Sequence, residues 1–189
     1  MNSVVSMRWP LIGLTLVAVA VYIPGLNGPF VFDDIGNVVG NSELSLDRLS
    51  LTGLMDTARS SAAGPTGRPI AMLSFAVNAH FLGWEPIAFK SVNLAIHLVN
   101  GLLVFGLASS IGRKIVDSES ASRDIARFAW LVSAIWLLHP IQLTSVLYVV
   151  QRMTSLAATP VLAGLLFYII TRARATNVRS LFAPFTTLI

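Results

Sequence analysis

Two adjacent carboxylates, Asp33 and Asp34, are the first residues of this chain whose type and position could support chemistry. They lie in the stretch from Gly28 to Asn41, a few residues after the first long apolar run, where a chain leaving a bilayer would meet water. A carboxylate at such a place can act as a general base. The pair can instead form a turn or cap a helix, because Asp side chains accept hydrogen bonds from nearby backbone amides.

Composition indicates the class of protein that presents this pair. The chain has 189 residues, of which 54% are hydrophobic and 12% are charged. This is too apolar for an ordinary soluble domain, so we predict an integral membrane protein. The 13 basic residues form no cluster interleaved with aromatic residues, which argues against nucleic acid as a partner. Cysteine is absent, which excludes a disulfide framework and a thiolate metal site.

The apolar runs predict an all-α membrane fold with about four transmembrane helices, since each crossing of a hydrocarbon core needs roughly 20 apolar residues. The membrane region is expected to cover residues 1–175, followed by a short tail at 176–189. The predicted spans are residues 9–26, 86–112, 126–139 and 154–171, with an external loop and short external helices at 27–85.

Three features of this topology have alternatives. The first run contains Ala18-Val19-Ala20, which resembles a signal-peptide cleavage site, although the spans that follow favour an uncleaved anchor. The stretch from Pro69 to Leu82 is short for a span and is typical of a re-entrant or surface-lying helix, but a variant topology counts it as a span. Residues 125–150 could also form one span that is kinked at Pro140.

Basic residues predict the orientation, because loops rich in Lys and Arg stay on the cytoplasmic side. Eight of the 13 basic residues fall at one end of the predicted bundle, at position 8, in the loop 113–127 and at positions 172–179. We therefore expect both termini in the cytoplasm and the Asp33-Asp34 pair on the outer face.

The same topology brings further polar residues to the outer end. Arg68, Lys90, His139 and Arg152 fall at the outer ends of helices or in the loops that join them. Cations at these positions could hold a phosphate group at the membrane surface. The alternatives are that His139 simply ends a helix before Pro140 and that Arg152 anchors a helix end at the lipid headgroups.

A polar stripe runs along the helix that is predicted to begin at Pro86. Lys90, Asn93, His97 and Asn100 recur at steps of three, four and three residues, which confines them to an arc of about 80°. Polar groups are costly in hydrocarbon, so this face is predicted to point into the bundle. It would serve either a ligand or hydrogen bonds between helices. The three histidines share no spacing, so no metal site is predicted.

Three segments carry a resemblance to a known family. They are GPFVFDD with Asn37 and Asn41 behind it, GRPIAMLSFAVNAHFLGWEPIAFKSVNLAIHLVNGLLVF, and LLHPIQLTSVLYVVQRMTSLAA. In this order they resemble the N-terminal membrane region of the tetratricopeptide-containing transmembrane O-mannosyltransferases and their bacterial relatives, which have the GT-C fold. The similarity covers about residues 9–172, and several ordered motifs are more specific than any single one.

The resemblance implies a glycosyltransferase that moves a sugar from a polyprenyl-phosphate carrier to a hydroxyl acceptor, such as Ser or Thr of a protein. The reaction would take place on the outer face of a bacterial inner membrane. It implies that Asp33 or Asp34 is the catalytic base, which takes the acceptor's proton during the attack on the anomeric carbon. The residues implied to hold the lipid phosphate are Arg68, Lys90, His139 and Arg152. The implied donor is the lipid-linked sugar. Whether a divalent ion also binds beside the aspartates is left open.

Two features depart from the family pattern. Lys90 stands where relatives usually have histidine in a Phe-His-x-x-Asn sequence. The chain also stops at Ile189, whereas family members continue through further spans and usually into helical repeats. The second expectation is therefore a truncated relative or non-catalytic membrane subunit that binds lipid or a partner chain completing the fold.

Overall fold

The computed structural model describes residues 8–45, 50–61, 67–116 and 121–174. The predicted tail at 176–189, with Arg179, lies outside the described residues, as do positions 46–49 and 62–66 of the predicted external loop. The α-helices of the described ranges are α1 (Arg8–Leu26), α2 (Leu51–Arg59), α3 (Pro69–Leu82), α4 (Pro86–Ile115), α5 (Ser122–Leu138), α6 (Leu143–Leu147) and α7 (Arg152–Arg174). These ranges contain no strand, and the predicted all-α fold class is confirmed.

Three helical segments are long and apolar enough to cross a membrane, namely Trp9–Leu26, Pro86–Ile115 and Val149–Arg172. Helix α5 and the segment Pro140–Leu147 pass the same test together, with a 50° bend between them. The described residues therefore contain three spans, or four if the bent pair counts as one. The bend has a local cause, because Pro140 disfavours a helical conformation at His139, which has an extended backbone instead. The chain is an integral membrane protein by the length and composition of these helices.

The two ends of the bundle differ in chemistry. At one end α1 finishes and α4 and α7 begin, and this end carries the Asp33-Asp34 loop, so we call it the Asp33 end. At the other, α4 and α7 finish and α5 begins, close to most of the basic residues, so we call it the basic end. Helix α3, with 14 residues, is too short to be counted among the spans and packs against α2 and α4 at the Asp33 end.

Buried apolar side chains form three clusters at successive heights along the bundle. The cluster nearest the basic end joins α1 to α5 through Leu14, Ala18 and Leu137. The middle cluster comprises Tyr22, Leu26, Leu94 and Val146. The cluster at the Asp33 end is the largest, and its aromatic members Phe75 and Phe89 are fully buried between α3 and α4. The Asp33 end therefore has a packed apolar support beneath its polar loop.

Gly101 allows α4 and α5 to approach closely. The Ser133 hydroxyl donates a hydrogen bond to the Gly101 carbonyl at 2.8 Å, and a Cβ atom at Gly101 would collide with the Leu137 side chain. Small residues at helix crossings have this effect in membrane proteins. The Gly101→Val variant is expected to lose about 1–3 kcal/mol of stability, since overpacking forces the helices apart.

Thermal unfolding in detergent measures this loss. The matched control is Gly164→Val, because Gly164 on α7 has open space where the new side chain would lie. Equal destabilisation by the two substitutions would contradict the assignment of Gly101 to a close helix contact.

Candidate functional site

Asp33 and Asp34 have opposite environments. The Asp33 side chain is exposed, whereas Asp34 has 0% of its surface accessible. The Asp34 carboxylate accepts hydrogen bonds from the backbone amides of Val31, Val149 and Val150, at 3.1, 3.4 and 2.7 Å. The last two amides belong to the 3-10 turn Val149–Gln151, whose first amides have no partner within the turn. Asp34 therefore holds the loop after α1 against the chain that leads into α7.

The residue before the pair has a strained backbone. Phe32 has a φ of +47°, a left-handed conformation that is unfavourable for a residue with a bulky side chain. It lies inside the short loop that Asp34 closes onto the Val31 amide. The Phe32 ring is exposed and meets the Tyr148 ring edge-on, with 6.3 Å between their centroids. Strain of this kind is concentrated at functional sites.

Asp33 is held through its backbone. Its amide donates to the Tyr148 hydroxyl at 3.2 Å, and its carbonyl accepts from the Asn37 side chain at 3.0 Å. Burial raises the pKa of Tyr148 above its ordinary value. The hydrogen bond from the Asp33 amide lowers this pKa, whereas the Asp33 side chain and the charges of Asp33 and Asp34 raise it, so the hydroxyl is protonated at neutral pH. The backbone of Asp33 is thus fixed while its carboxylate faces solvent. A carboxylate in this situation can accept a proton from a bound hydroxyl.

Lys90 is buried, and its ammonium group binds protein oxygens. The Nζ atom donates to the carbonyls of Gly28, Pro29 and Gly25, at 2.7, 3.1 and 3.4 Å. These carbonyls lie at or just beyond the end of α1, where a positive charge is favourable and helical partners are lacking. An ammonium group has three donors, and all three are occupied here. The structure therefore places Lys90 in a contact between α4 and the end of α1, and not in an open position for a phosphate.

Arg152 is the largest fully buried side chain among the described residues. Its guanidinium lies over the Phe75 ring, 4.6 Å from the centroid, in a cation–π contact. It donates to Asn93 Oδ1 at 2.7 Å, the Ser74 carbonyl at 3.1 Å, Asn78 Oδ1 at 2.7 Å and the Phe89 carbonyl at 2.8 Å. These acceptors lie on α3 and α4, so Arg152 ties the start of α7 to both helices. They are neutral oxygens, and no carboxylate forms an ion pair with Arg152 within the described ranges.

The polar stripe of α4 faces the bundle, where each member has a partner on another segment. Asn93 Nδ2 donates to the carbonyls of Val146, Tyr148 and Val149 at 3.3–3.4 Å. His97 Nε2 is bound to the Leu137 carbonyl at 3.0 Å. Asn100 donates to the Ser155 carbonyl at 2.9 Å and accepts from the Thr159 hydroxyl at 2.8 Å. Of the two predicted alternatives for this stripe, these contacts correspond to hydrogen bonds between helices.

Arg68 and His139 are the exposed members of the predicted cation set. Arg68, which precedes α3, donates from Nη1 to Met153 Sδ at 3.1 Å. His139 Nδ1 accepts from the Ile141 amide at 3.2 Å and so caps the 3-10 turn that follows. The segment from Tyr148 to Met153 contacts both Asp33 and Arg68, because Tyr148 binds the Asp33 amide and Met153 binds the Arg68 side chain. The hydrogen bonds and ring contacts of the described residues do not link His139 to either of them.

Two residues at this end were not predicted from the sequence. Tyr148 carries the contact with the Asp33 backbone, but nothing in its sequence neighbourhood indicates that role. Asn78 carries a clearer signal, because it interrupts the apolar sequence of α3 with a polar amide. Its Oδ1 accepts from Arg152, while its Nδ2 is buried without a hydrogen-bond partner. Among the described residues, no three His, Asp or Glu side chains lie close enough to hold a metal ion.

Comparisons with known proteins give only distant matches to this chain. No protein-family model matches the chain. No solved structure matches it significantly either. The human Protein O-mannosyl-transferase TMTC4 is 27% identical over 179 residues, and the mouse protein of the same name is 25% identical over 178 residues. Each match covers 88% of this chain and 24% of the relative, so the chain spans about a quarter of the length of these curated relatives. The comparisons support a distant relation between this chain and the protein O-mannosyl-transferase family.

Proposed function

We propose that this chain acts in a membrane glycosyltransferase and that Asp33 supplies the catalytic base. The observation that carries the proposal is the difference between the two aspartates. Asp34 is buried and holds the loop, whereas Asp33 is presented to solvent on a backbone fixed by Tyr148 and Asn37. The distant similarity to proteins named O-mannosyl-transferases supports transfer of a sugar, with mannose as the first sugar to test.

The proposed reaction moves the sugar from a polyprenyl-phosphate carrier to a hydroxyl group, with protein Ser or Thr as the acceptor. The acceptor oxygen forms a bond to the anomeric carbon while Asp33 accepts the hydroxyl proton. The bond from the anomeric carbon to the phosphate oxygen breaks, and the phosphate leaves with the electron pair. Stabilisation of that charge is assigned to Arg68, which is exposed and connected to Asp33 through the segment from Tyr148 to Met153. His139 is the second exposed candidate for this role.

Lys90 and Arg152 take a different part in this proposal. The three donors of Lys90 and four of the five donors of Arg152 are bound to protein oxygens. Lys90 and Arg152 carry two buried positive charges beneath the loop, and among the described residues at this end Asp34 carries the buried negative charge. The net charge of these three buried groups is positive, so a positive potential remains beneath the loop. A positive potential favours the approach of a lipid phosphate. We therefore assign these two cations to the support of the site and not to direct phosphate contact.

Charge distribution supports an orientation in which the Asp33 end faces away from the cytoplasm. By position in the sequence, the basic end has eight basic and three acidic residues, a balance of +5, whereas the Asp33 end has five basic and six acidic residues, a balance of −1. Cytoplasmic segments carry an excess of Lys and Arg, and acidic residues contribute little to this effect, so the eight basic residues against five favour the basic end as the cytoplasmic one. The proposal accordingly places both termini inside and the reaction on the outer face of a bacterial inner membrane.

The Asp33→Asn variant tests the base. It is expected to lower sugar transfer by about 10²–10⁴-fold, which is the usual contribution of a general base, while the unfolding temperature stays close to that of the wild type. Purified chain in liposomes is assayed with polyprenyl-phosphate mannose and a Ser/Thr peptide. Asp56→Asn, which changes an exposed aspartate on α2, is the matched control and should retain full transfer. Turnover by Asp33→Asn equal to that of Asp56→Asn would remove Asp33 from the mechanism.

A second candidate is a non-catalytic membrane subunit that binds the lipid carrier or a partner chain. It is favoured by the inward contacts of Lys90 and Arg152, which serve the fold. The same assay separates the candidates. Absence of transfer by the wild-type chain, together with retained binding of the lipid carrier, would support the subunit.

A further inference from the structure

A cavity of about 240 Å³ lies at the basic end of the bundle, which is the end opposite to Asp33. Its apolar wall is formed by Leu11, Phe105, Ile125, Leu166 and Ile170, which belong to α1, α4, α5 and α7. Side chains of four helices therefore line an apolar space that is partly open to the surface. A lipid chain is the kind of group that such a space accommodates in a membrane protein.

Close contacts between neighbouring helices fix the positions of the helices that line the cavity. A Cβ atom at Gly106 would lie 3.0 Å from Leu166, and one at Gly112 would lie 2.8 Å from Ile125, so α4 closely approaches both α7 and α5 beside the cavity. The Trp130 indole donates to the Pro10 carbonyl at 3.0 Å and joins α5 to α1. These contacts limit the movement of the lining helices, and a largely pre-formed cavity is typical of binding sites.

The mouth of the cavity is polar and cationic. Arg113 lines the cavity and is also exposed, so its guanidinium lies where the cavity meets solvent. Ser109, Ser110 and Ser122 line the same cavity and bring hydroxyl donors. Within the described ranges the ion pair at this end joins Arg127 to Asp124, which leaves Arg113 without a carboxylate partner there. A guanidinium with neighbouring hydroxyl groups is suited to a phosphate group.

We propose that this cavity binds one anionic phospholipid, with its phosphate at Arg113 and one acyl chain between the helices. Each half of the ligand has a counterpart in the structure, since the apolar wall fits the chain and the balance of +5 at this end fits the negative headgroup. Basic pockets between transmembrane helices bind anionic lipid headgroups in this way. The proposal does not depend on the glycosyltransferase activity.

Native mass spectrometry of the full chain, titrated with phosphatidylglycerol or phosphatidylcholine in detergent, tests this site. We expect one phosphatidylglycerol per chain and weaker binding of phosphatidylcholine. Arg113→Gln should weaken phosphatidylglycerol binding roughly fivefold, the effect of one basic residue at a membrane surface. Lys114→Gln removes the same charge at the next position, which does not line the cavity, and should leave the affinity nearly unchanged. Equal losses in the two variants would overturn the proposal in favour of diffuse surface charge.

The acyl chain is tested separately from the headgroup. Ala126→Phe fills the cavity without changing the charge and should abolish the single bound lipid, whereas soluble glycerol phosphate should not compete with phosphatidylglycerol. Retained lipid binding in this variant, or full competition by glycerol phosphate, would contradict a chain seated between the helices. Thermal unfolding verifies that each variant is folded, and Arg113→Gln, at an exposed position, provides the test if the larger substitution unfolds the chain.

Discussion

Replacing Arg152 with methionine is expected to destabilise the protein by at least about 1–3 kcal/mol, the usual cost of leaving a buried acceptor without its donor. The new side chain keeps most of the apolar stem but has no donors. It would leave Asn93 Oδ1, Asn78 Oδ1 and the backbone carbonyls of Ser74 and Phe89 without the hydrogen bonds they receive now. Buried acceptors that lose their donors carry the full cost of desolvation. Chemical or thermal unfolding in detergent measures the change.

The control for this experiment lies on the same helix. Arg172→Met removes an exposed arginine of α7 whose hydrogen bond reaches Tyr168 within the helix. It is expected to change stability by less than about 0.5 kcal/mol, as surface substitutions usually do. If Arg152→Met proved no more destabilising than Arg172→Met, the buried network would not be the tie between α7 and the helices α3 and α4.

Asp34→Asn is expected to cost about 1–3 kcal/mol of stability, whereas the same substitution at Asp33 should cost almost none. The Asp34 carboxylate accepts from three backbone amides and uses both of its oxygens. An asparagine side chain replaces one oxygen with an NH₂ group, which has to face an amide hydrogen. A loop that is no longer held would also misplace Asp33, so we expect transfer to fall in Asp34→Asn together with stability.

The two asparagine variants form a matched pair, because they make the same chemical change at neighbouring positions. Unfolding temperature and sugar transfer are measured for both. The proposed division of roles predicts that Asp33→Asn loses sugar transfer but keeps its stability, whereas Asp34→Asn loses sugar transfer and stability. A stable Asp34→Asn protein without transfer, combined with full transfer by Asp33→Asn, would assign the base to Asp34 instead.

Hydrophobic periodicity and hydropathy predict much of this fold because the polarity of each helix face reflects whether that face meets lipid, water or other helices. The inward direction of the α4 stripe follows from the cost of placing Asn93, His97 and Asn100 in hydrocarbon. The short length of α3 and the break before Pro140 are also visible in the sequence. These features depend on local residue types, so a single sequence is sufficient to indicate them.

The division between Asp33 and Asp34 could not be predicted in the same way. Adjacent aspartates look alike in a sequence, and their environments differ because of the φ of Phe32 and two amides more than a hundred residues further on. Lys90 presents the same problem, since its partners are carbonyls at the end of another helix. Tertiary contacts set these roles, and charge alone indicates only that the residues lie at one end of the bundle.

Arg152 also imposes an order on the assembly of this protein in the membrane. Its acceptors lie on α3 and α4, which precede α7 in the chain and are therefore synthesised before it. Until α7 enters the membrane, Asn78 and Asn93 lack their charged donor, and the α3 helix has no guanidinium to hold it over the bundle. The hydrogen bonds that tie α3 to the bundle through Arg152 can therefore form only after α7 has been synthesised and has packed beside α3 and α4.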